Sequence, residues 1–209
     1  MSRPIGRHRH GWRRVLRRAS DLLVLALVAP VIVPLVLGLA LAVKLDSPGP
    51  AFWPHTRVGR GGRRFRLFKF RTMVEGAEER KIELGHLNLL TWPDFKVAND
   101  SRVTRVGKWL RRTSLDELPQ LWNLLRGEMT LVGPRACSID VSKYELWQAE
   151  RLEVTPGIVG RWQAEGRDRV HFADRCRMDI RQTRTRSLVS DVDVAVKTVK
   201  SVLTKREDS

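Results

Sequence analysis

The chain has 209 residues, 39 of them basic and 23 acidic, for a formal charge of +16 at neutral pH. That length accommodates one apolar segment and a single soluble domain, and Cys137 and Cys176, 39 positions apart with no Cys-x-x-Cys, exclude a disulfide framework and read as reduced thiols. The charge is uneven: up to Glu75 there are 15 basic and 3 acidic residues, against 24 and 20 in the rest. Anionic lipid headgroups attract such a cluster by about 1 kcal/mol per basic residue. A nucleic-acid binder could share this charge, but it would not need the apolar segment beside it, so nucleic acid is not an expected partner.

Residues 1 to 20 form a basic arm carrying Arg3, Arg7, Arg9, Arg13, Arg14, Arg17 and Arg18 and no acid. The arm is expected to become helical at the headgroups, with Trp12 as an interfacial anchor. Residues 21 to 46 contain 22 uncharged positions, Leu22 to Val43, enough for a straight helix to cross a bilayer at about 1.5 Å per residue. A spanning helix carries its basic excess mainly on the cytoplasmic side, whereas here both flanks are basic. Pro30 and Pro34 each remove a backbone donor and favour a kink. A segment that enters one leaflet, bends near Ala29, Pro30 and Pro34 and returns is therefore preferred to a full span, which the tolerance of transmembrane helices for proline leaves open. No small-x-small cleavage site follows, so a cleaved signal peptide is not expected.

Residues 47 to 209 are assigned to a cytoplasm-facing domain that begins at the breaker Ser47-Pro48-Gly49-Pro50. Phe65 to Phe70 reads as a short strand with a wet or ligand-facing side carrying Lys69, followed by Arg71. Glu75 to Leu90 is charged and predicted helical, and Thr91 to Arg105 reads as loop. A helical stretch from Val106 should stop near Thr113. The next helix is predicted to start at Ser114, with Glu117 completing a capping box, and to end at Gly127. Leu131 to Pro134 and Val154 to Gly160 read as loops. Val189 to Leu203 fits a strand or an amphipathic helix, and a surface helix is preferred. The fold class is α+β, mostly helical with short strands.

Asp116 and Glu117 are the sharpest candidates for chemistry. Acids in a first helical turn also favour the helix dipole by roughly 0.3–1 kcal/mol each, which is the structural alternative. Arg111 and Arg112 just upstream favour the ionised carboxylate. Such a carboxylate can attack phosphorus once cations neutralise the phosphate it approaches. Glu117 could hold Mg²⁺, which binds through one or two carboxylates plus substrate phosphates. Lys69, Arg71, Arg135 and Arg167 are candidate phosphate contacts, each with a solvated face or a surface ion pair as its alternative. The five histidines form no metal-ligand pattern, and no tryptophan is assigned to base stacking.

The string Arg112-Thr113-Ser114-Leu115-Asp116-Glu117-Leu118-Pro119-Gln120-Leu121-Trp122-Asn123 is followed by Leu131-Val132-Gly133-Pro134-Arg135. With Phe68-Lys69-Phe70-Arg71-Thr72-Met73 and Thr155-Pro156-Gly157-Ile158-Val159-Gly160-Arg161-Trp162-Gln163, the chain resembles the bacterial sugar transferase family of small monotopic polyprenyl-phosphate phosphoglycosyl transferases. The resemblance covers about Arg18 to Val199. It implies transfer of a sugar-1-phosphate from a UDP-sugar to undecaprenyl phosphate with release of UMP, as the first membrane step of exopolysaccharide, capsule, O-antigen or glycoconjugate synthesis. It further implies an Asp116 nucleophile forming a covalent intermediate, Glu117 as the Mg²⁺-associated partner, Arg111 at phosphate, and a re-entrant helix-break-helix in the bacterial cytoplasmic membrane. Homo-oligomerisation stays open. There are three departures from the family pattern: Ala29 replaces a serine before Pro30, Ala136 replaces a proline after Arg135, and Gln182 and Thr183 replace aromatic residues near Asp179. A membrane-tethered scaffold without catalysis is the rival reading.

Overall fold

The structure, a computed structural model, describes residues 11–88, 95, 97–165 and 170–204. It is mostly helical, with two separate two-stranded sheets, in line with the α+β expectation. Helix α1 (Gly11–Asp46) is one continuous 36-residue helix that contains Pro30 and Pro34. The break expected at Ala29, Pro30 and Pro34 is therefore absent as an interruption of the helix, because a missing N–H removes only one rung while the neighbouring rungs persist. The division between residues 20 and 21 falls inside this helix. A window of α1 has a mean hydropathy of 2.9 and is only 6% buried, and Leu27 and Val31 are each 71% exposed.

Both ends of α1 are held by the globular part. At one end, Arg17 Nε donates to Asp191 Oδ2 (3.1 Å) and Arg18 Nη2 to the Leu125 carbonyl (2.7 Å). Asp21, buried, accepts from Thr130 Oγ1 (2.6 Å) and Leu131 N (3.2 Å). At the other end, Leu39 and Val43 pack with Ala51, Phe70 and Leu110, and Asp46 accepts from Val106 N (3.0 Å).

Strands β1 (Phe52–Val58) and β2 (Arg64–Phe70) form an antiparallel hairpin in which Trp53 opposes Lys69 and His55 opposes Leu67. The two-residue period of a strand sends successive side chains to opposite faces. Phe70 enters the cluster with α1, while Leu67 enters another with Met129 and Ala136. Two hydrophobic clusters thus flank one hairpin. Ala136, at a departure from the family pattern, is one of the residues that close the second.

Glu75 to Asn88 differs from the predicted helix: it forms turns and two single 3₁₀ turns, Glu79–Lys81 and Gly85–Leu87. Leu89 and Leu90, which ended that prediction, and 91–94 and 96 of the predicted loop lie outside the described residues. Helix α2 (Arg105–Thr113) is capped by Thr104, whose hydroxyl accepts from Gly107 N. Gly107 lets α2 approach the chain closely, since a Cβ there would lie 2.2 Å from the Thr72 carbonyl oxygen. Helix α2 stops at Thr113, as predicted. Ser114, however, is not the start of a capped helix. It adopts φ +56° and closes α2 in the left-handed region, and the chain then makes a 3₁₀ turn, Leu115–Glu117, before α3 (Gln120–Leu125). The capping box fails because Glu117 is bonded elsewhere, as described below. Gly127, with φ +77°, follows α3 as expected.

Two segments read as loops contain short parallel strands, β3 (Thr130–Val132) and β4 (Gly157–Val159). Three residues each are too few to show a period, which hid them in the sequence. Beyond the 3₁₀ helix Leu146–Glu153 come α4 (Arg161–Ala164), α5 (Phe172–Thr185) and α6 (Leu188–Thr204). The last confirms the helical choice for Val189 to Leu203.

Candidate active site

Three pieces of chain meet at the Asp116–Glu117 turn. Strand β2 is pinned to α3 by Asn123, fully buried, whose Oδ1 accepts from Phe68 N (3.0 Å) while Nδ2 donates to the Arg66 carbonyl (2.7 Å). That clamp sets Lys69 opposite the turn. Lys69 Nζ donates to Asp116 Oδ2 (3.1 Å) and Glu117 Oε1 (2.8 Å).

The third piece is the turn after β3. Gly157 N donates to the Pro134 carbonyl (2.9 Å), and a Cβ on Gly157 would lie 2.1 Å from Gly133 N, so only glycine permits this backbone contact. The turn delivers Arg135 to Glu117: Nη2 donates to Oε1 (2.5 Å) and Nη1 to Oε2 (3.2 Å). Both ends of the guanidinium fork are therefore engaged, the stronger geometry for a carboxylate. Arg151, 5% exposed, supports the turn by donating Nη2 to the Arg135 carbonyl (2.8 Å) and to Asp179 Oδ2 (2.5 Å).

The electrostatics follow from these contacts. Burial alone would raise the Glu117 pKa, but Arg135 and Lys69 outweigh it and hold the carboxyl well below its usual range. Burial lowers the Arg111 pKa, with Asp116 opposing the shift; an arginine so placed stays cationic at neutral pH. Its Nε donates to Thr72 Oγ1 (2.8 Å). His55 is lowered to about 4, first by burial and then by Arg57, Lys69 and Arg111, so it is neutral beside this cationic group. Burial pushes Asp179 up to about 6 against the pull of Arg151.

Of the residues singled out in the sequence, Asp116, Glu117, Lys69 and Arg135 are thus gathered, and Arg111 lies within electrostatic reach. Arg71 is not among them. It is 5% exposed and closes the end of α1, donating to the carbonyls of Val43 (3.3 Å), Ser47 (2.6 Å) and Pro48 and to Ser47 Oγ (3.0 Å). Arg71 lies just past the end of β2, and the carbonyls at the end of α1 accept from its terminal nitrogens. Arg167 lies outside the described residues. His55, Asn123, Arg151 and Asp179 were missed, since each depends on contacts distant in the chain. Gln182, at another departure from the family pattern, is buried, and its Oε1 accepts from Arg161 N (3.3 Å).

No group of three or more His, Cys, Asp or Glu poised for a metal occurs among the described residues. Mg²⁺ needs less, since one or two carboxylates can hold it together with substrate phosphates. Among the described residues Asp116 bonds protein through one oxygen, Oδ2, whereas Arg135 and Lys69 engage both oxygens of Glu117, so of the two carboxylates Asp116 is the one that fits such a shared ion.

Beyond the turn lies an apolar cleft of about 640 Å³ between α1 and α3, lined by Leu22, Ile32, Phe52, Phe68, Leu118 and Trp122 among others. Anionic chemistry and an apolar channel therefore adjoin: Glu117 faces Lys69, and the next residue, Leu118, lines the cleft.

The chain matches the family model described as bacterial sugar transferase over residues 12–205. It is 40% identical over 197 residues to an uncharacterized sugar transferase of Haemophilus influenzae, covering 92% of this chain and 42% of that protein. It is 36% identical over 209 residues to the exopolysaccharide production protein ExoY of Rhizobium meliloti, covering 98% of this chain and 89% of the relative. A UDP-glucose:undecaprenyl-phosphate glucose-1-phosphate transferase of Caulobacter vibrioides is 38% identical over 200 residues, covering 90% and 70%. The chain thus spans less than half of the Haemophilus protein and most of ExoY.

Proposed function

The chain belongs to the bacterial sugar transferase family, and on that premise we propose that it moves a sugar-1-phosphate from a UDP-sugar to undecaprenyl phosphate and releases UMP. The observation that carries this reading is the Asp116–Glu117 pair held by Lys69 and Arg135 next to an apolar cleft. One substrate is soluble and the other is anchored in lipid, so the reacting carboxylate has to lie where both can reach it. The names of the Caulobacter and Rhizobium relatives support the lipid acceptor and the exopolysaccharide setting.

In the proposed first step an Asp116 carboxylate oxygen bonds to the β-phosphorus of the UDP-sugar. The bond from that phosphorus to the bridging oxygen breaks, and UMP leaves with the electron pair. In the second step an oxygen of the lipid phosphate attacks the same phosphorus. The bond to Asp116 breaks, and the products are the polyprenyl diphosphate sugar and the free carboxylate. Lys69 and Arg111 counter the charge of the phosphate as Asp116 approaches it, and Arg135 keeps Glu117 ionised and oriented. Asp116 would hold Mg²⁺ with the diphosphate, and Glu117 would join it on exchanging a contact to Lys69 or Arg135; when bound, the ion would neutralise charge on the transferring group.

The bonds at both ends of α1 support a re-entrant placement with both flanks on one face of the membrane, which the proposal takes as the cytoplasmic face. Arg18 and Asp21 bond α3 and the β3 region, while Val43 and Asp46 bond Arg71 and α2. A full span would put these two sets of contacts on opposite sides of a hydrocarbon core about 30 Å thick, and one domain cannot satisfy both.

UMP release measured with a panel of UDP-sugars, Mg²⁺ and undecaprenyl phosphate tests the activity. Asp116→Asn should keep membrane association and lose UMP release. Full turnover in that variant would remove Asp116 as the nucleophile.

A further inference from the structure

The segment that carries Arg135 is held at three carbonyls, each by a different element. The Pro134 carbonyl accepts from Gly157 N of β4 (2.9 Å) and the Cys137 carbonyl from Val58 N of β1 (2.8 Å). Between them, the Arg135 carbonyl accepts from a side chain, Arg151 Nη2 (2.8 Å). Arg151 belongs to the 3₁₀ helix Leu146–Glu153, and the same nitrogen donates to Asp179 Oδ2 (2.5 Å) on α5. Both partners are buried, Asp179 completely.

Stability alone does not account for an ion pair at this depth. Desolvating two charges offsets most of their attraction, and apolar residues of similar volume often serve stability equally well. The pair is also incompletely bonded: Arg151 Nε and Asp179 Oδ1 are buried with no partner among the described residues. What apolar side chains cannot supply is a donor aimed at the Arg135 carbonyl, with a carboxylate behind it to fix its direction. Arg135 in turn bonds both oxygens of Glu117. Asp179, Arg151, Arg135 and Glu117 therefore form one chain of contacts running from α5 to the Asp116–Glu117 dyad.

We propose that Asp179 and Arg151 are positioning residues for this dyad, a buried strut that holds the Arg135 backbone so that its guanidinium fork meets Glu117. Neither residue bonds Asp116 or Glu117 among the described residues, so the strut acts through Arg135. Its kinetic consequence rests on the reading of the dyad as the reacting group of a transferase. Its hold on Glu117 does not.

The test removes the pair together, as Arg151→Met with Asp179→Asn in the full chain in detergent. Both charges go with little change of volume, so the variant should fold. Its kcat for UMP release should fall about tenfold or more with the KM for the UDP-sugar within about twofold, because orientation of Glu117 rather than substrate binding is lost. In an Arg135→Lys background the same two changes should lower kcat little further, since residues acting through one fork are not additive. A second readout needs no turnover. The difference in melting temperature below about pH 4.5 between the protein and its Glu117→Gln variant should shrink once the strut is gone. If the paired variant does not fold, Arg151→Lys takes its place in the same measurements; it keeps a charge opposite Asp179 but replaces the planar fork with a flexible ammonium. A folded variant with wild-type kcat overturns the proposal, as does an unchanged difference in melting temperature, or a kcat loss that multiplies in full with that of Arg135→Lys. A reduced difference in a protein that releases no UMP from any UDP-sugar upholds the strut and removes the transferase reading.

Discussion

Arg135 grips Glu117 with both terminal nitrogens, Nη2 to Oε1 at 2.5 Å and Nη1 to Oε2 at 3.2 Å. This fork holds the second carboxylate of the dyad in one orientation, while Asp116 shares only Lys69 with it. An ammonium cannot reproduce two parallel bonds. Arg135→Lys is therefore expected to lower kcat/KM for UMP release by roughly 10- to 100-fold with little change in folding. Arg135→Ala leaves Glu117 with Lys69 alone and should also reduce stability by about 1–3 kcal/mol in urea unfolding. An Arg135→Lys variant with unchanged kcat/KM would show that the fork is dispensable.

The dyad should also record its neighbours in the acid limb of stability. Glu117 has its folded-state pKa depressed by Arg135 and Lys69 against the effect of burial. A depressed carboxyl contributes stability that is complete above its unfolded pKa of about 4.5 and declines as pH falls toward the folded value. Glu117→Gln should flatten the loss of melting temperature below about pH 4.5 relative to wild type. Parallel curves for the two proteins would contradict the assigned ion pairs.

The sequence made the dyad and its two cations legible because local strings carried them: Asp116 and Glu117 are adjacent, and Arg135 follows a Gly-Pro turn. Their mutual contact was not legible. It depends on Asn123 clamping β2 to α3 and on Gly133 and Gly157 letting two backbones touch, pairings across 24 to 57 positions. The capping box misled for a related reason. Ser114 and Glu117 have the right spacing, but two cations outcompete the cap for the carboxylate. Arg71 shows the same limit: its charge was visible, whereas the carbonyls it closes belong to the end of α1. In α1 the apolar run predicted the element, and the prolines overstated its interruption.

Arg71 supplies a direct test of that reassignment. Its guanidinium bonds three carbonyls and one hydroxyl at the end of α1. Arg71→Met should destabilise the protein by about 2–4 kcal/mol, since buried carbonyls lose their donors. The KM for the UDP-sugar in the surviving folded fraction should stay near wild type. A raised KM with unchanged unfolding would return Arg71 to the phosphate.

His55 should set a pH window of its own. Its folded pKa is lowered to about 4, first by burial and then by Arg57, Lys69 and Arg111, against about 6.5 when unfolded. Stability from the neutral ring is then complete above pH 6.5 and falls as pH drops from 6.5 toward 4. After discounting for solvent screening, the loss is on the order of 2 kcal/mol. His55→Gln should remove that part of the decline in thermal unfolding between pH 6.5 and 4. A variant that tracks wild type across this window would place the ring away from the cations.

Topology yields the sharpest contrast between bent and spanning placements. The apolar stretch Leu22–Val43 would measure about 33 Å as a straight helix, close to a full hydrocarbon core. Yet Asp21 bonds Thr130, and Asp46 bonds the start of α2. Both acids flank the apolar stretch and attach to one domain rich in charge, which cannot enter hydrocarbon to follow a spanning helix. In a chain with Cys137 and Cys176 replaced by alanine, Gly11→Cys and Ser47→Cys report the two flanks separately; a Cβ at Gly11 meets nothing within 4 Å. Both variants should react with a membrane-impermeant maleimide in inverted vesicles and be protected in intact spheroplasts. Labelling of one flank from each side would establish a span, and the contacts at Asp21 and Asp46 could then not both exist in the membrane.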